Sequence, residues 1–378
     1  MRARELIPDP ENRTPPLPIS VFNALNELRE KWRPLAVAML LGAIGAAGAV
    51  YLTLPLPWML GPMVVTAAAA MSGVRVWIPT WLRSSMFIVM GIMFGAGVPP
   101  DIAQQIQTWM ISSAGVVIFV IVTGTAMFLY YHRVAGYGPV TAYFSAMPGG
   151  VLPMTIIGES FGGDVRIISL MQISRLAATV ILIPISFRLF AGYEPTGSAG
   201  TDAHFDDVAP LDAAIWLIAS IAAIPLAGRL RLPAPTLMGP LLAVGALTLA
   251  GVVSSPMPDE PMAVAQLIIG ASVGAMYNGV KVREVGVYLV HGSIAGTSMV
   301  VLALLMALAA GPISGLEPQA LILGYAPGGF VEMALIGFAL GIEVTFVITH
   351  QLVRFLFIVA GAPIIMAQLK KRLNLEEN

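Results

Sequence analysis

Cysteine is missing altogether from this 378-residue chain. That absence removes disulfides, thiolate nucleophiles and cysteine metal sites together. Histidine is scarce: His132, His204, His291 and His350 are the only four, and no two lie within 50 positions of one another. The chain therefore lacks the clustered ligands that a copper or iron oxidase needs. Charge is thin as well. Asp, Glu, Lys and Arg make up 11% of the residues, against about 25% in a soluble globular protein. No basic stripe suggests nucleic acid, and without a Walker A motif any ATP drive would need another chain.

What is abundant is apolar. Hydrophobic residues reach 57% and the mean hydropathy is +0.84, more than a water-facing surface can hide, so lipid must cover much of the molecule. Residues 1–33 are the exception. They carry six of the twenty Lys and Arg with no apolar run before Pro34, which argues against a cleavable signal peptide. Ser20 is placed to cap a short helix with Phe22, Leu25, Leu28 and Trp32 on one face and Glu27 four residues before Lys31. Such a helix is expected to lie on the membrane surface; the alternative is a partly disordered tail.

The chain is a duplication. Leu54–Met63 recurs as Leu232–Leu241, and Gly91-x3-Gly95 recurs as Gly270-x3-Gly274. Pro148–Arg175 aligns with Pro327–Arg354 at ten identical positions of 28, among them both Pro-Gly-Gly triplets, Gln172/Gln351 and Arg175/Arg354. Chance would supply roughly two. Each copy holds five clear apolar runs, at about 34–53, 57–74, 84–98, 107–131 and 166–190, then 211–228, 235–253, 263–279, 286–310 and 344–367. Each also holds a sixth segment, 140–163 or 319–342, interrupted by Pro-Gly-Gly, which breaks a helix.

Loop charges set the direction of the copies, because cytoplasmic loops are enriched in Lys and Arg. If the Pro-Gly-Gly segments do not fully cross, the basic loops (Arg75 and Arg83, Arg133, Arg229 and Arg231, Lys281 and Arg283, Lys370 to Arg372) all fall on the side of the N-terminus. The base-free loops 99–106, 254–262 and 311–320 and the acidic linker 191–210 fall on the other. This predicts an all-α polytopic membrane protein of ten crossings. Two inverted repeats, 34–190 and 211–368, lie between cytoplasmic tails 1–33 and 369–378. Inverted repeats with interrupted segments near the midplane characterise secondary transporters.

Several groups are candidates for the work. Pro148-Gly149-Gly150 and Pro327-Gly328-Gly329 expose backbone N–H and C=O groups suited to anions and cations respectively; the alternative is a tightly packed kink without a ligand. Gln172 and Arg175, with Gln351 and Arg354, share a helical face about nine residues into an apolar helix. A guanidinium at that depth clamps a substrate carboxylate or phosphate, pairs with an acid such as Glu159 or Glu332, or reaches the interface along its own stem. Those two glutamates, inside the broken segments, are candidates for ion coupling. Asp164 and Glu343 read as first-turn residues of the following helix, and His291 and His350 as proton relays or simple hydrogen-bonding residues. Gly61-Pro62, Gly239-Pro240 and the Gly-x3-Gly pairs at 91/95, 158/162, 270/274 and 337/341 read as close helix packing.

Through Pro57–Pro62, Ala146–Gly150, Pro235–Pro240 and Ala326–Met333 the chain resembles the AbrB family of bacterial inner-membrane proteins, over residues from about 36 to 368. The resemblance implies an integral membrane protein with a fold similar to the cation/proton antiporter and anion transporter group. One member influences gene expression, and the label ammonia monooxygenase is also in use. The spread of the histidines argues against oxidation, and direct DNA binding would need a basic soluble module longer than residues 1–33. The expected function is secondary active transport of a small solute, an organic anion, driven by H⁺ or Na⁺. The alternative is a membrane-bound sensor acting indirectly on gene expression, and a membrane monooxygenase is a distant third. Expected partners are the small-molecule or ion substrate and the lipid bilayer, with a homodimer allowed and no nucleic acid; no cofactor, metal or enzymatic activity is expected.

Overall fold

The computed structural model describes residues 21–191, 204–255, 258, 260–280 and 282–372, and their regular structure is entirely helical. The first copy runs α1 (Val21–Tyr51), α2 (Pro57–Met71), α3 (Thr80–Ala96), α4 (Ile102–Leu129, prolonged by a π-helical turn Tyr130–Val134), α5 (Pro139–Ala146), α6 (Val151–Ser160) and α7 (Val165–Ala191). The second repeats the order as α8 (Pro210–Arg229), α9 (Pro235–Leu249), α10 (Glu260–Ala275), α11 (Val282–Ser314), α12 (Pro318–Tyr325), α13 (Phe330–Ala339) and α14 (Val344–Arg372). Helix α1 kinks at Lys31 (φ −115°, ψ 17°), where the Pro34 ring displaces the helical carbonyl four residues back. The kink separates a polar start, with Glu27 and Lys31 3.8 Å apart, from the apolar span. Ser20, the expected cap, lies outside the described residues, as does Lys281.

The chain is a multi-pass membrane protein. Helices α1, α4, α7, α8, α11 and α14 are long and apolar enough to cross a bilayer. Helices α2, α3, α9 and α10 have 15 to 17 residues, about 22–26 Å at 1.5 Å per residue, and are packed inward. Together these ten coincide with the ten apolar runs.

Glycine contacts reveal the helix directions. A Cβ added at Gly270 would collide with the Met59 carbonyl, and one at Gly274 would meet the Met63 carbonyl, so α2 and α10 run parallel. Gly91 abuts Leu237 and Gly95 abuts Leu241, so α3 and α9 run parallel as well. Because α3 returns from α2 after a short connection, α9 opposes α2, of which it is the copy: the repeats are inverted. Each Gly-Pro helix thus meets the Gly-x3-Gly helix of the other copy. Backbones approach to contact where a side chain would hold them apart. Gly61 does the same against Gly45 of α1. Gly162 (φ +86°) and Gly341 (φ +66°) have open space around them. They are not packing residues as expected; they turn the chain from α6 into α7 and from α13 into α14.

Among the described residues four other than glycine adopt positive φ, Thr53, Leu56, Arg231 and Ala234. They are two equivalent pairs, each in the turn that swings the chain into a Gly-Pro helix. Beside the paired α1–α3 and α8–α10 stand α4–α7 and α11–α14, in contact at places such as Phe94 of α3 and Phe338 of α13, 5.7 Å apart.

The broken segments are hairpins. Thr141, at the start of α5, accepts a hydrogen bond from the Asp164 N–H at the start of α7 (3.0 Å), and Gly158 of α6 packs on Phe144 of α5. Both arms therefore open at one end of the molecule, with the Pro-Gly-Gly break at the inner tip. Gly337 stands in the same way near Leu323, at 3.6 Å from an added Cβ.

Candidate functional site

The tips of the two hairpins carry the site. Helix α5 stops at Ala146 and α12 at Tyr325 because the following Pro148 or Pro327 disfavours helical backbone in the residue before it. Each stop leaves carbonyls without helical donors, inside apolar protein where an unpaired carbonyl costs about 1–3 kcal/mol. The Gln and Arg of the next long helix satisfy them. Gln172 donates to Phe144 O (2.7 Å) and Met147 O (2.9 Å), and Arg175 donates to Met147 O (3.1 Å). In the second copy Gln351 donates to Leu323 O (2.9 Å) and Ala326 O (3.2 Å), while Arg354 donates to Ala326 O and to Gly328 O (2.8 Å). The ten-identity stretch thus encodes one device twice, a broken helix whose carboxyl end is capped by side chains from its neighbour.

Both arginines are deeply buried, with 2% of Arg175 and 4% of Arg354 exposed. Among the described residues neither has a carboxylate within 4.0 Å, so an ion pair with Glu159 or Glu332 is not what holds them. The two guanidiniums are close enough to repel one another, and Tyr131, fully buried, lies within electrostatic reach of Arg175. In both copies the same atoms remain without a partner, the Nε–H of each Arg and the Oε1 of each Gln. Tyr143 OH, Ser145 Oγ and Tyr325 OH are also buried and unpartnered.

Helix-end charges decide the electrostatic balance. Each helix terminus carries about half a unit of charge. The carboxyl ends of α5 and α12 cancel about one of the two guanidinium charges, and the amino ends of α6 and α13, which face the same breaks, restore about one. Glu332, 5% exposed and third in α13, folds its carboxylate back over Gly329; ionised, it subtracts one. With Glu332 ionised the centre keeps about one positive charge, and with it protonated about two.

The remaining candidates fall elsewhere. Glu159 is exposed in the last turn of α6, at the open base of its hairpin and roughly 13 Å of helix from the break; it is not brought to the arginines. Asp164 caps α7, its Oδ1 accepting from Ile167 N–H at 3.0 Å. Glu343 is half-buried beside α4. Burial, and then the neighbouring Asp101, push its carboxyl above the ordinary value. His291 joins Tyr130 at 2.6 Å, with Tyr137 and Tyr288 packed alongside. His350 is fully buried against Ser112 (2.8 Å). Sequence reasoning missed Ser112, which lies 238 positions from its partner, although it is the counterpart of His291 under the repeat offset. No group of three His, Cys, Asp or Glu among the described residues could hold a metal ion.

An inverted duplication with a capped, broken hairpin in each copy defines a class of polytopic membrane protein with a positively charged centre. Within that class, a family model described as "Transition state regulatory protein AbrB" matches residues 58–370, and the chain belongs to the AbrB family. It is similar to "Uncharacterized protein YhjN" of Bacillus subtilis (strain 168), 26% identical over 353 residues that cover 85% of this chain and 90% of that protein. It is also similar to "Putative regulator AbrB" of Escherichia coli (strain K12), 22% identical over 245 residues, 65% of this chain and 69% of that one.

Proposed function

We propose that this protein is a secondary active transporter of a small organic anion, working by alternating access in a bacterial inner membrane with both termini cytoplasmic. The observation that carries the reading is the pair of buried guanidiniums that cap the two breaks without a carboxylate of their own. A carboxylate entering between the hairpin tips would accept from the free Nε–H groups and neutralise the residual charge. The partner-free amide oxygens would accept from a substrate hydroxyl. Access would alternate as the group bearing the hairpins, α4–α7 with α11–α14, moves against α1–α3 with α8–α10. No covalent chemistry, cofactor or metal is called for.

A thermal-shift series on the purified protein with lactate, succinate and, as controls, ethanolamine and adenine tests the anion reading. The acids should raise the melting temperature, and Arg354→Ala and Arg175→Ala should each abolish the rise. An unchanged rise in both variants would overturn it. Liposome uptake of the best-binding acid then separates transport from sensing. The name of the E. coli relative favours the second reading, a membrane sensor acting indirectly on gene expression, which predicts equal binding and no uptake.

A further inference from the structure

We propose that His350 is a proton-binding site, loaded from an acidic cavity beside it, whose proton strengthens anion binding at Arg354. The proposal rests on the reading of the arginine pair as an anion site and supplies what drives it. Three observations converge on this histidine.

The first is a count of hydrogens. His350 Nδ1 lies 2.8 Å from the Phe346 carbonyl, which can only accept, so Nδ1 carries a hydrogen. Nε2 lies 2.8 Å from Ser112 Oγ, which also lies 3.0 Å from the Trp109 carbonyl. With His350 neutral, the Ser112 hydroxyl donates to Nε2, and the Trp109 carbonyl keeps its ordinary helical N–H. When Nε2 takes up a proton it becomes a donor to Ser112 Oγ, and the hydroxyl turns to donate to Trp109 O. Both protonation states are fully hydrogen-bonded, and one hydroxyl rotation converts them. A buried group that leaves an atom unsatisfied in one state is locked in the other; this one is not.

The second is access. A cavity of about 520 Å³ is lined by Gln105, Glu317, Gln319 and Glu343, with Trp109 and Phe346 in its wall. Glu343 Oε1 and Gln319 Oε1 are buried there without partners. The same two aromatic rings pack on His350, Phe346 at 3.9 Å and Trp109 at 6.4 Å between centroids. One layer of aromatic side chains separates the acids from the imidazole.

The third is position. His350 precedes Arg354 by one helical turn and adjoins Gln351, so its added charge stands beside the anion site. By linkage, a bound anion must favour the proton as much as the proton favours the anion. The titratable and charged groups on the elements around His350 are Tyr325 and Glu317 at the two ends of α12, Glu332 on α13, Asp101 before α4, and Glu343 and Arg354 bracketing it on α14. Among the described residues no carboxylate comes within 4.0 Å of the ring nitrogens. The equivalent position in the first copy is Met171, so only the second hairpin has this device.

Protonated imidazole quenches a neighbouring indole, which makes Trp109 a reporter that needs no substrate. The test is a pH titration of tryptophan emission from the purified full-length protein, with Trp109→Phe as baseline. The Trp109 component should fall in a single one-proton transition as the solution is acidified. The transition should be absent in His350→Gln, and in Ser112→Ala it should shift to lower pH, because the protonated form loses its acceptor. Saturating lactate or succinate should raise the midpoint by about half a unit, a threefold coupling. A flat Trp109 signal in the wild type, or the same transition in His350→Gln, overturns the proton site. A midpoint unmoved by an acid that still gives an Arg354-dependent thermal shift overturns the coupling. If the transition is present and no acid gives that thermal shift, the anion reading has failed and the proton site stands without it.

Discussion

The two breaks are built on one plan and finished differently. In the first, Gly150 adopts φ +95°, ψ 149°, a conformation that only glycine tolerates. In the second, Gly329 has an ordinary φ of −71°, and glycine is needed there for room, since a Cβ would run into the Glu332 carboxylate. The third residue of the following half-helix is Pro153 in one copy and Glu332 in the other. Met171 in the first stands where His350 stands in the second, and Asp164 caps a helix where Glu343 faces a cavity. The backbone device and its Gln–Arg cap are shared, while the carboxylate at the tip and the imidazole one turn before the arginine occur only in the second copy. A duplicated scaffold has kept the fixed charge in both halves and placed the variable charge in one.

Breaking the caps tests the shared part and carries the largest expected effect. Arg354→Ala leaves Gly328 O with no donor, a cost of about 1–3 kcal/mol on top of the lost anion binding. Arg175→Ala should cost less, because Met147 O keeps Gln172. Melting temperatures of the two variants without ligand would rank them, and the reverse order would contradict the unequal cap.

The next effect concerns the unequal part. Glu332→Gln removes one negative charge from the centre. For charges about 10 Å apart at an effective dielectric of about 20, that is worth roughly 1.7 kcal/mol, or more than tenfold in affinity. Succinate should gain on lactate by about that factor in competition thermal shifts, and an unchanged preference would remove Glu332 from the site's balance. Introducing the acid into the other tip, Pro153→Glu, should weaken both anions.

Asp164 and Glu343 should differ in sign at neutral pH. Asp164→Ala removes a cap and should cost about 1 kcal/mol. Glu343 has a folded-state pKa above its unfolded one, so its contribution is fully present below the unfolded value, about 4.3. That contribution is lost as pH rises through the folded value. Glu343→Gln should therefore match or exceed the wild type at pH 7–8 and fall behind it on acidification. Parallel melting curves at all pH values would argue against a carboxyl shifted by burial.

The smallest effect probes the two strained turns. Arg231→Gly should stabilise by about 1 kcal/mol, relieving positive φ. Thr53→Gly should gain less, because Thr53 Oγ1 also accepts from Arg188 (3.1 Å). A chemical-denaturation pair would show the difference.

Much of the plan was legible in the residues. The offset between the Pro-Gly-Gly stretches exposed the duplication, and loop Lys and Arg implied inversion, which the parallel pairing of α2 with α10 and α3 with α9 reproduces. Gln172, Arg175, Gln351 and Arg354 stood out because polar groups deep in apolar helices require partners. Their partners were not legible: backbone carbonyls have no side-chain signature, and Glu159, an acid of the kind a buried arginine calls for, is carried by the hairpin fold to the base. Gly162 and Gly341 depart from the packing role that Gly-x3-Gly spacing predicts, because that spacing describes a helix face and a helix ends between the two glycines of each of these pairs. Ser112 escaped because a serine in an apolar helix usually bonds its own backbone, and only the fold brings His350 to it.

The backbone contact between α2 and α10 has a consequence for synthesis. Met59 is translated about 200 residues before the Gly270 that covers it. At 5–20 residues per second the first half waits roughly 10–40 s in the bilayer with its closest-packed surface uncovered. That interval is long compared with helix association, so nascent first halves are exposed to pairing with one another before their own second half arrives. Slowing translation between α7 and α8 should therefore raise the yield of aggregated chains.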